Sequence, residues 1–329
     1  MSIPGIKTAK VFSRWLQARF LGGALILGYH RIERLIHDEY EVCVTPQHFA
    51  EQMEVLGRHA HPVSLRELVQ GLKKGSVQPR SVAVTLDDGY AENLYQAKPI
   101  LEKYAIPATV FVCTGYRGKE FWWDELVRLV AYTEADLGAL RLEAGGTRFV
   151  WNQPKGSLAA VANVRTMFHK ALYRFLFALD VEEQNHAMNT IRSWSGVAPI
   201  ETTERAMTCE ELIRIVEHGL IEIGAHTRHH PMLPQLPLDR QREEIVSSKR
   251  DLEELLNRQV DGFAYPNGGE TDDTKRLVRE AGFAFACTSL QDVVRPAHDL
   301  HALTRFWQRD VDGEKFLRAL HLWMTGAWA

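Results

Sequence analysis

Ser81-Val82-Ala83-Val84-Thr85-Leu86-Asp87-Asp88-Gly89 is the stretch from which the rest of this chain is read. Ser81 to Leu86 is a short apolar run rich in β-branched residues, which predicts a strand. Two carboxylates and a glycine follow where that strand must end, and in α/β folds the carboxyl ends of parallel strands are where sites are built. Neighbouring side chains on a strand point to opposite faces, so Asp87 and Asp88 diverge while the strand runs on. At a strand end followed by Gly89 the backbone can turn, and both carboxylates can face one cavity. One can then bind a metal while the other stays available as a base. An ordinary polar Asp-Gly turn is the alternative reading.

Strand and helix signals alternate on both sides of this run. Upstream, Ala24 to Tyr29 predicts a buried strand, and Thr45 with Pro46 opens a helix carrying Phe49, Met53 and Leu56, closed by Gly57. Ser64 and Glu67 form a capping box ahead of Leu65, Leu68, Val69 and Leu72, with Gly75 at the end. Downstream come a helix around Asn93 to Tyr104 and a strand from Ala108 to Val112. The rhythm returns with a second capping box, Thr208 and Glu211, on a helix stopped by Gly219. A strand from Leu220 to Ala225, a long helix over Leu238 to Asn257 and a strand at Gly262 to Tyr265 follow. A helix opened by Thr271 and a strand at Ala284 to Thr288 complete the series. Strands separated by helices predict a parallel sheet, open or closed into a barrel. Residues 116–205 break the rhythm, with a helix starting at Trp122 and Trp123, a hairpin turning at Gly145-Gly146, and helices over Leu158 to Asp180 and Val181 to Trp194. The expected organisation is an amphipathic helix over 1–23 and a barrel in two parts, 24–115 and 206–329, the second ending in a helix. A mostly helical insertion, 116–205, separates the parts.

The second chemically dense segment is His226-Thr227-Arg228-His229-His230-Pro231, directly after the strand ending at Ala225. His226 and His230 are four apart, a separation that lets one turn of chain present two imidazoles to one ion. His229 is their neighbour and points elsewhere. Asp88, His226 and His230 together make a two-histidine, one-carboxylate site with open positions, which suits a catalytic divalent ion rather than a closed structural one. Such an ion acidifies a water and polarises an acyl carbonyl, and Asp87, held off the metal, takes the proton.

Composition narrows the classes. Of the 329 residues, 45% are hydrophobic and 25% charged, which supports a sizeable packed core, and the formal charge of −3 argues against a nucleic-acid partner. Cys43, Cys113, Cys209 and Cys287 form no CxxC pair and read as buried free thiols. Near the N-terminus Val11, Phe12, Trp15, Leu16 and Phe20 fall at helical spacing among Lys7, Lys10, Arg14 and Arg19. Packing on the outside of the domain is the favoured reading, and a peripheral membrane contact is the alternative. No secretion signal is visible, so the cytoplasm or the inner membrane periphery is the expected location.

The two motifs together resemble those of the polysaccharide deacetylases of carbohydrate esterase family 4. The family's T-F-D-D-G is matched by Thr85-Leu86-Asp87-Asp88-Gly89, and its H-[ST]-x-x-H by His226-Thr227-Arg228-His229-His230. Gly28-Tyr29-His30-Arg31 and the run from Tyr104 to Val112 extend the likeness, which covers residues 24–115 and 206–310. The resemblance implies an α/β fold, a distorted (β/α) barrel with fewer than eight repeats. It also implies Asp87 as general base and Asp88, His226 and His230 as ligands of zinc or a similar divalent ion.

The family's third motif, R-x-P-Y-G, is met in part by Ala264-Tyr265-Pro266-Asn267-Gly268. The resemblance places a substrate-binding groove wall at Tyr265 and Pro266 and the N–H of Asn267 at the oxyanion, a role that survives side-chain replacement. Ala264 stands where the family has an arginine that orients the base. Arg305, in Leu303-Thr304-Arg305-Phe306-Trp307, is the candidate to approach Asp87 from another direction, with an exposed ion pair as the alternative. The family's late L-x-H motif, source of the general acid, has no clear match among His30, His298 and His301. His30 is preferred because it ends the first predicted strand, and a buried structural histidine is the alternative. Trp122, Trp123, Tyr265 and Trp307 are candidates to stack on sugar rings, with core packing as the default.

The expected activity is hydrolysis of N-acetyl groups on an amino-sugar polysaccharide. The Phe263–Gly268 and Gly28-Tyr29-His30 segments resemble the subgroup associated with bacterial exopolysaccharides. An O-acetyl esterase and a non-catalytic sugar-binding scaffold are the alternatives.

Overall fold

A computed structural model of the chain describes residues 23–35, 38–151, 164–199 and 204–326. The helix expected over 1–23 therefore lies outside the described residues, save for Gly23. The chain packs as two compact units, one made of residues up to Gly118 and from Ala206 onward, the other of Lys119–Arg205.

The first unit opens with β1 (Leu25–Tyr29), the short pair β2 (Arg31–Ile32) and β3 (Cys43–Val44), α1 (Pro46–His59) and β4 (His61–Pro62). It continues through α2 (Leu65–Lys74), β5 (Ser81–Leu86), a π-helical turn Asn93–Ala97 leading into α3 (Lys98–Tyr104), and β6 (Ala108–Val112). The second unit holds α4 (Trp122–Tyr132), the hairpin β7 (Leu142–Ala144) and β8 (Thr147–Phe149), α5 (Val164–Phe177) and α6 (Val181–Ser195). The first unit resumes with α7 (Cys209–Ile215), β9 (Ile221–Ala225), α8 (Leu238–Leu256), β10 (Gly262–Ala264), α9 (Asp272–Glu280), β11 (Phe285–Cys287), β12 (Phe306–Trp307) and α10 (Gly313–Thr325).

Eight strands of the first unit form one parallel sheet in the order β11-β10-β9-β6-β5-β1-β12, with β4 paired beside β5, while β2 and β3 pair separately. This seven-strand path curls through 241°, the distorted barrel with fewer than eight repeats expected from the sequence. Residues 303–307 span the opening. Leu303 bridges to Cys287 in parallel, and β12 pairs with β1 at Leu27 and Gly28.

Strand alternation sorts the apolar side chains into two layers. Leu25, Leu27, Val82, Val84, Leu86, Val110 and Val112 join one buried cluster with α1, α8 and α9 residues such as Phe49, Ile245 and Leu277. Ile26, Ala83, Phe111 and Ala264 face the other way, into a second cluster with Phe285 and Leu303. Thr85 and Asp87 share the parity of Ala83, and Arg305 that of Leu303. The polar residues at the strand ends therefore extend the face of this second cluster.

Helix ends follow the sequence signals. Ser64–Glu67 and Thr208–Glu211 form complete capping boxes, and Gly75 closes α2 in the left-handed conformation. Gly57 does not close α1, which runs on to His59 and is capped by Ala60. A glycine without a following breaker only weakens a helix, and here it sits in open space. In the same way α7 ends at Ile215, ahead of Gly219. In the second unit the hairpin turns at Gly145 and Gly146, both at positive φ. Residues 152–163, which include the start of the helix expected over Leu158 to Asp180, lie outside the described residues. Cys113 and Cys287 are buried free thiols, whereas Cys43 and Cys209 are half-buried, and none is in a disulfide. Among the described residues no helix is long and apolar enough to cross a membrane.

Candidate active site

β5 delivers the two aspartates. Asp87 follows the strand with its N–H bonded to Tyr29 O, and its parity aims it inward. Asp88, next along, would point away, but it adopts φ 71° and Gly89 φ 83°. Two successive left-handed residues turn the chain and bring Asp88 round to the same cavity, a conformation costly for an aspartate and free for a glycine. Cys113 N–H to Asp88 O and Met207 N–H to Gly89 O pin the turn.

β9 delivers the histidines. His226 Nδ1 lies 2.7 Å from Ala264 O, and a carbonyl only accepts, so this nitrogen carries the proton and the Nε2 lone pair is aimed elsewhere. That lone pair faces Asp88 Oδ1 at 3.6 Å, and His230 Nε2 lies 3.6 Å from the same oxygen. Burial pulls the pKa of both imidazoles below the ordinary histidine value, against the raising influence of Asp87, so both rings are neutral donors near pH 7. A tetrahedral ion with bonds of about 2.1 Å separates its donors by about 3.4 Å. Asp88 Oδ1 stands at about that separation from each imidazole nitrogen.

Cys113 Sγ also lies among these groups, within 4.8 Å of candidate donor atoms on Asp88 and His226. Its thiol approaches His226 O at 3.3 Å, and burial with the nearby Asp88 and Asp87 pushes its pKa well up. The thiol is thus engaged with a carbonyl, while His230 Nε2 is aimed at Asp88 Oδ1.

Arg305 closes the site from the segment that spans the sheet's opening. It is fully buried and meets Asp87 end-on, Nη1 to Oδ1 at 2.7 Å and Nη2 to Oδ2 at 2.8 Å. Nε donates to Thr288 O at 3.0 Å, and the guanidinium lies 4.5 Å from the Trp307 ring centre. Burial alone would raise the Asp87 carboxyl. The Arg305 charge and hydrogen bonds, with His226, outweigh it and hold the pKa at about 2. An exposed ion pair is therefore the wrong description of Arg305.

His30 also borders this cavity, its titration sensing Asp87, Arg305 and His226. Its ring stacks on Trp307 at 4.7 Å, and burial lowers its pKa to about 4. It is thus neutral near pH 7. His301 is tied through Nε2 to Phe283 O, at the amino end of β11 and away from the strand ends that carry the aspartates. Asn267, at φ 53°, is exposed in the turn after β10. In that turn Gly268 and Gly269 donate back to Tyr265 and Pro266.

Tyr265 is corrected as a substrate contact, because its ring is 1% exposed and its hydroxyl donates to His301 O at 2.9 Å. Pro266 is buried as well, leaving Asn267 as the exposed residue of the motif. Trp122 and Trp123 are buried within the second unit, packed with Phe121 and Tyr173, and offer no open ring to a sugar.

The polysaccharide deacetylase family model matches residues 74–139 and 175–286, more than half of the chain. The chain is a polysaccharide deacetylase family member. Curated relatives include the poly-beta-1,6-N-acetyl-D-glucosamine N-deacetylase of Staphylococcus aureus, 36% identical over 111 residues, covering 30% of this chain and 38% of that protein. The Staphylococcus epidermidis counterpart is 34% identical over 108 residues, covering 29% and 37%. The match thus spans less than two-fifths of the length of these relatives. Among solved structures, the Streptococcus pyogenes deacetylase PplD in complex with acetate superposes with TM-score 0.60 at 20% identity, over 91% of this chain and 99% of that one. IcaB from Ammonifex degensii gives 0.59 at 20% identity, over 92% and 97%. At such identity the superpositions establish a shared fold.

Sequence reasoning missed Glu244 of α8. Its Oε2 accepts the N–H groups of Arg228 and His229, both at 2.9 Å, and its Oε1 lies 2.7 Å from His229 Nδ1. A signal was present, because Gln241, Glu244, Ile245, Ser248 and Leu252 share one helical stripe, and α8 buries that stripe.

Proposed function

We propose that this chain is a metal-dependent hydrolase that removes N-acetyl groups from a β-linked amino-sugar polysaccharide of the exopolysaccharide type, with Zn2+ the favoured ion. The observation that carries the reading is Asp88 Oδ1 at 3.6 Å from each of two neutral imidazole Nε2 atoms, beside a second carboxylate already committed to an arginine. A mere sugar-binding scaffold has no use for Asp87 in that state.

Asp88, His226 and His230 are the residues that would hold the ion, which supplies Lewis acidity to a water and to the acetyl carbonyl. The other roles belong to the chain itself. Asp87 is ionised at any working pH and accepts the proton of the attacking water on its carboxylate. Arg305 keeps that carboxylate in one orientation. The N–H of Asn267, a main-chain donor, stabilises the charge that develops on the carbonyl oxygen. The leaving nitrogen needs a proton, and His30, neutral at the start, can supply it only after receiving one. Asp87 holds the proton just taken from water and is therefore the donor of first choice.

The test is acetate release by the zinc-loaded protein from β-1,6- and β-1,4-linked N-acetylglucosamine oligomers, beside an O-acetylated polymer. Release from an N-acetylated oligomer is the expected result, and the β-1,6 series is the favoured substrate because the staphylococcal relatives act on it. Release from the O-acetylated polymer alone would replace this reading with an esterase. No release from any of them, with metal bound, would leave the scaffold.

A further inference from the structure

The backbone of the histidine loop is strained. Thr227 (φ 63°) and His230 (φ 59°) are both left-handed, and neither is glycine. Such a conformation is costly for a residue with a side chain and persists only where its surroundings hold it. Within the loop, Thr227 Oγ1 accepts the N–H of His230 at 3.0 Å. From outside, α8 supplies two carboxylates seven residues apart, two turns along one face. Glu244 takes the N–H groups of Arg228 and His229 together with the His229 ring. Asp251 takes the Thr114 hydroxyl at 2.8 Å and pairs with Arg228 Nε at 3.1 Å. The loop is closed on its other side by Thr114 N–H to Thr227 O and Gly115 N–H to Arg228 O.

We infer that Glu244 is a positioning residue for the metal site: its buried carboxylate fixes the peptide between the two histidine ligands and thereby sets their separation. Glu244 is 7% exposed, and a carboxylate so placed is maintained only because three donors meet it. The two backbone N–H groups are the essential pair. They belong to the residues between His226 and His230, so losing them frees the loop to relax toward ordinary right-handed or extended backbone. The donors of one ion then move apart. The inference rests on the reading of Asp88, His226 and His230 as metal ligands.

The experiment measures zinc affinity of the metal-free full chain by competition with a chromophoric chelator, with unfolding temperature recorded for every variant. Glu244→Ala is expected to weaken zinc binding by about 10–100-fold, the usual effect of losing a group that orients metal ligands. Glu244→Gln keeps one oxygen for the two N–H groups and is expected to stay within about threefold of the parent, the rescue expected of a hydrogen-bonding role. Glu253→Ala is the control. On the same helix it removes a carboxylate that holds Val260 N–H at 3.0 Å, and it should lower stability without touching zinc affinity. Should Glu244→Ala not fold, Glu244→Asp keeps the charge but shortens the reach, and a loss of about tenfold is expected. Parent-like affinity in the Ala variant, or in the Asp variant where Ala does not fold, would overturn the inference. So would an equal loss in Glu253→Ala. A parent chain that binds no divalent ion at all would instead sink the metal reading itself, a result visible before any variant is compared.

Discussion

Arg305 grips Asp87 by both carboxylate oxygens, at 2.7 Å and 2.8 Å, across 218 residues of sequence. The family's usual arginine position is Ala264, whose side chain here lies in the apolar layer with Phe111 and Leu303. The guanidinium reaches the base instead from the segment that spans the sheet's opening. The same support is therefore supplied from a different segment of the chain, just ahead of β12.

Removing that support has a signed consequence for pH. The Asp87 pKa of about 2 is depressed below the ordinary carboxylate value because Arg305 outweighs burial. A depressed carboxyl contributes stability that is present above its unfolded pKa and lost as pH falls toward the folded one. In Arg305→Ala burial acts without its main opponent, so the pKa rises. Because the base works only when ionised, the acid limb of kcat/KM should move to higher pH, and turnover at neutrality should fall by about 10²-fold or more. A pH–rate profile with an unmoved acid limb would contradict the assignment.

The two adjacent aspartates should separate cleanly. Asp87→Asn is expected to keep its metal and lose about 10²–10⁴ in turnover, the usual worth of a general base. Asp88→Ala should lose the metal along with the activity, as should His226→Ala. Metal analysis of the purified variants, run beside acetate assays, checks each.

Gly28 should not accept a side chain. A Cβ there would sit 2.7 Å from the Trp307 ring, which stacks on His30 and carries the Arg305 guanidinium. Gly28→Ala is expected to destabilise the fold by about 1–3 kcal/mol through overpacking. It should also alter the near-UV tryptophan signal and lower turnover. A parent-like melting temperature would show that the ring has room to move.

Tyr265→Phe removes one buried hydroxyl, bonded to His301 O. A cost of about 1 kcal/mol in denaturant unfolding is expected. KM for an oligosaccharide should not change, because the ring has no solvent face.

Much of the barrel was legible, since period and punctuation agree there: Ser81–Leu86, Ala108–Val112 and the capping boxes at Ser64 and Thr208 stand where the sequence puts them. Local patterns say less about which side chains meet across long distances. Asp87 and Arg305 converge because sheet curvature brings residues 303–307 beside β1, a tertiary fact with no local signature. Tyr265 was misjudged for the same reason, because a motif gives the identity of a residue and not the direction of its ring. Gly57 was over-read as a stop, since helix ends depend on the following residues as much as on one glycine.

The segment that seals the sheet also sets an order of assembly. A nascent chain translated only through Cys287 carries Asp87, Asp88, His226 and His230, yet lacks the guanidinium that steadies Asp87. Competence then waits until residues 303–307 dock against β1. Such a contact, distant along the polymer, is slow to form. Local opening of residues 303–307 would therefore strip Asp87 of its partner while leaving the strands that carry Asp88 and His226 paired.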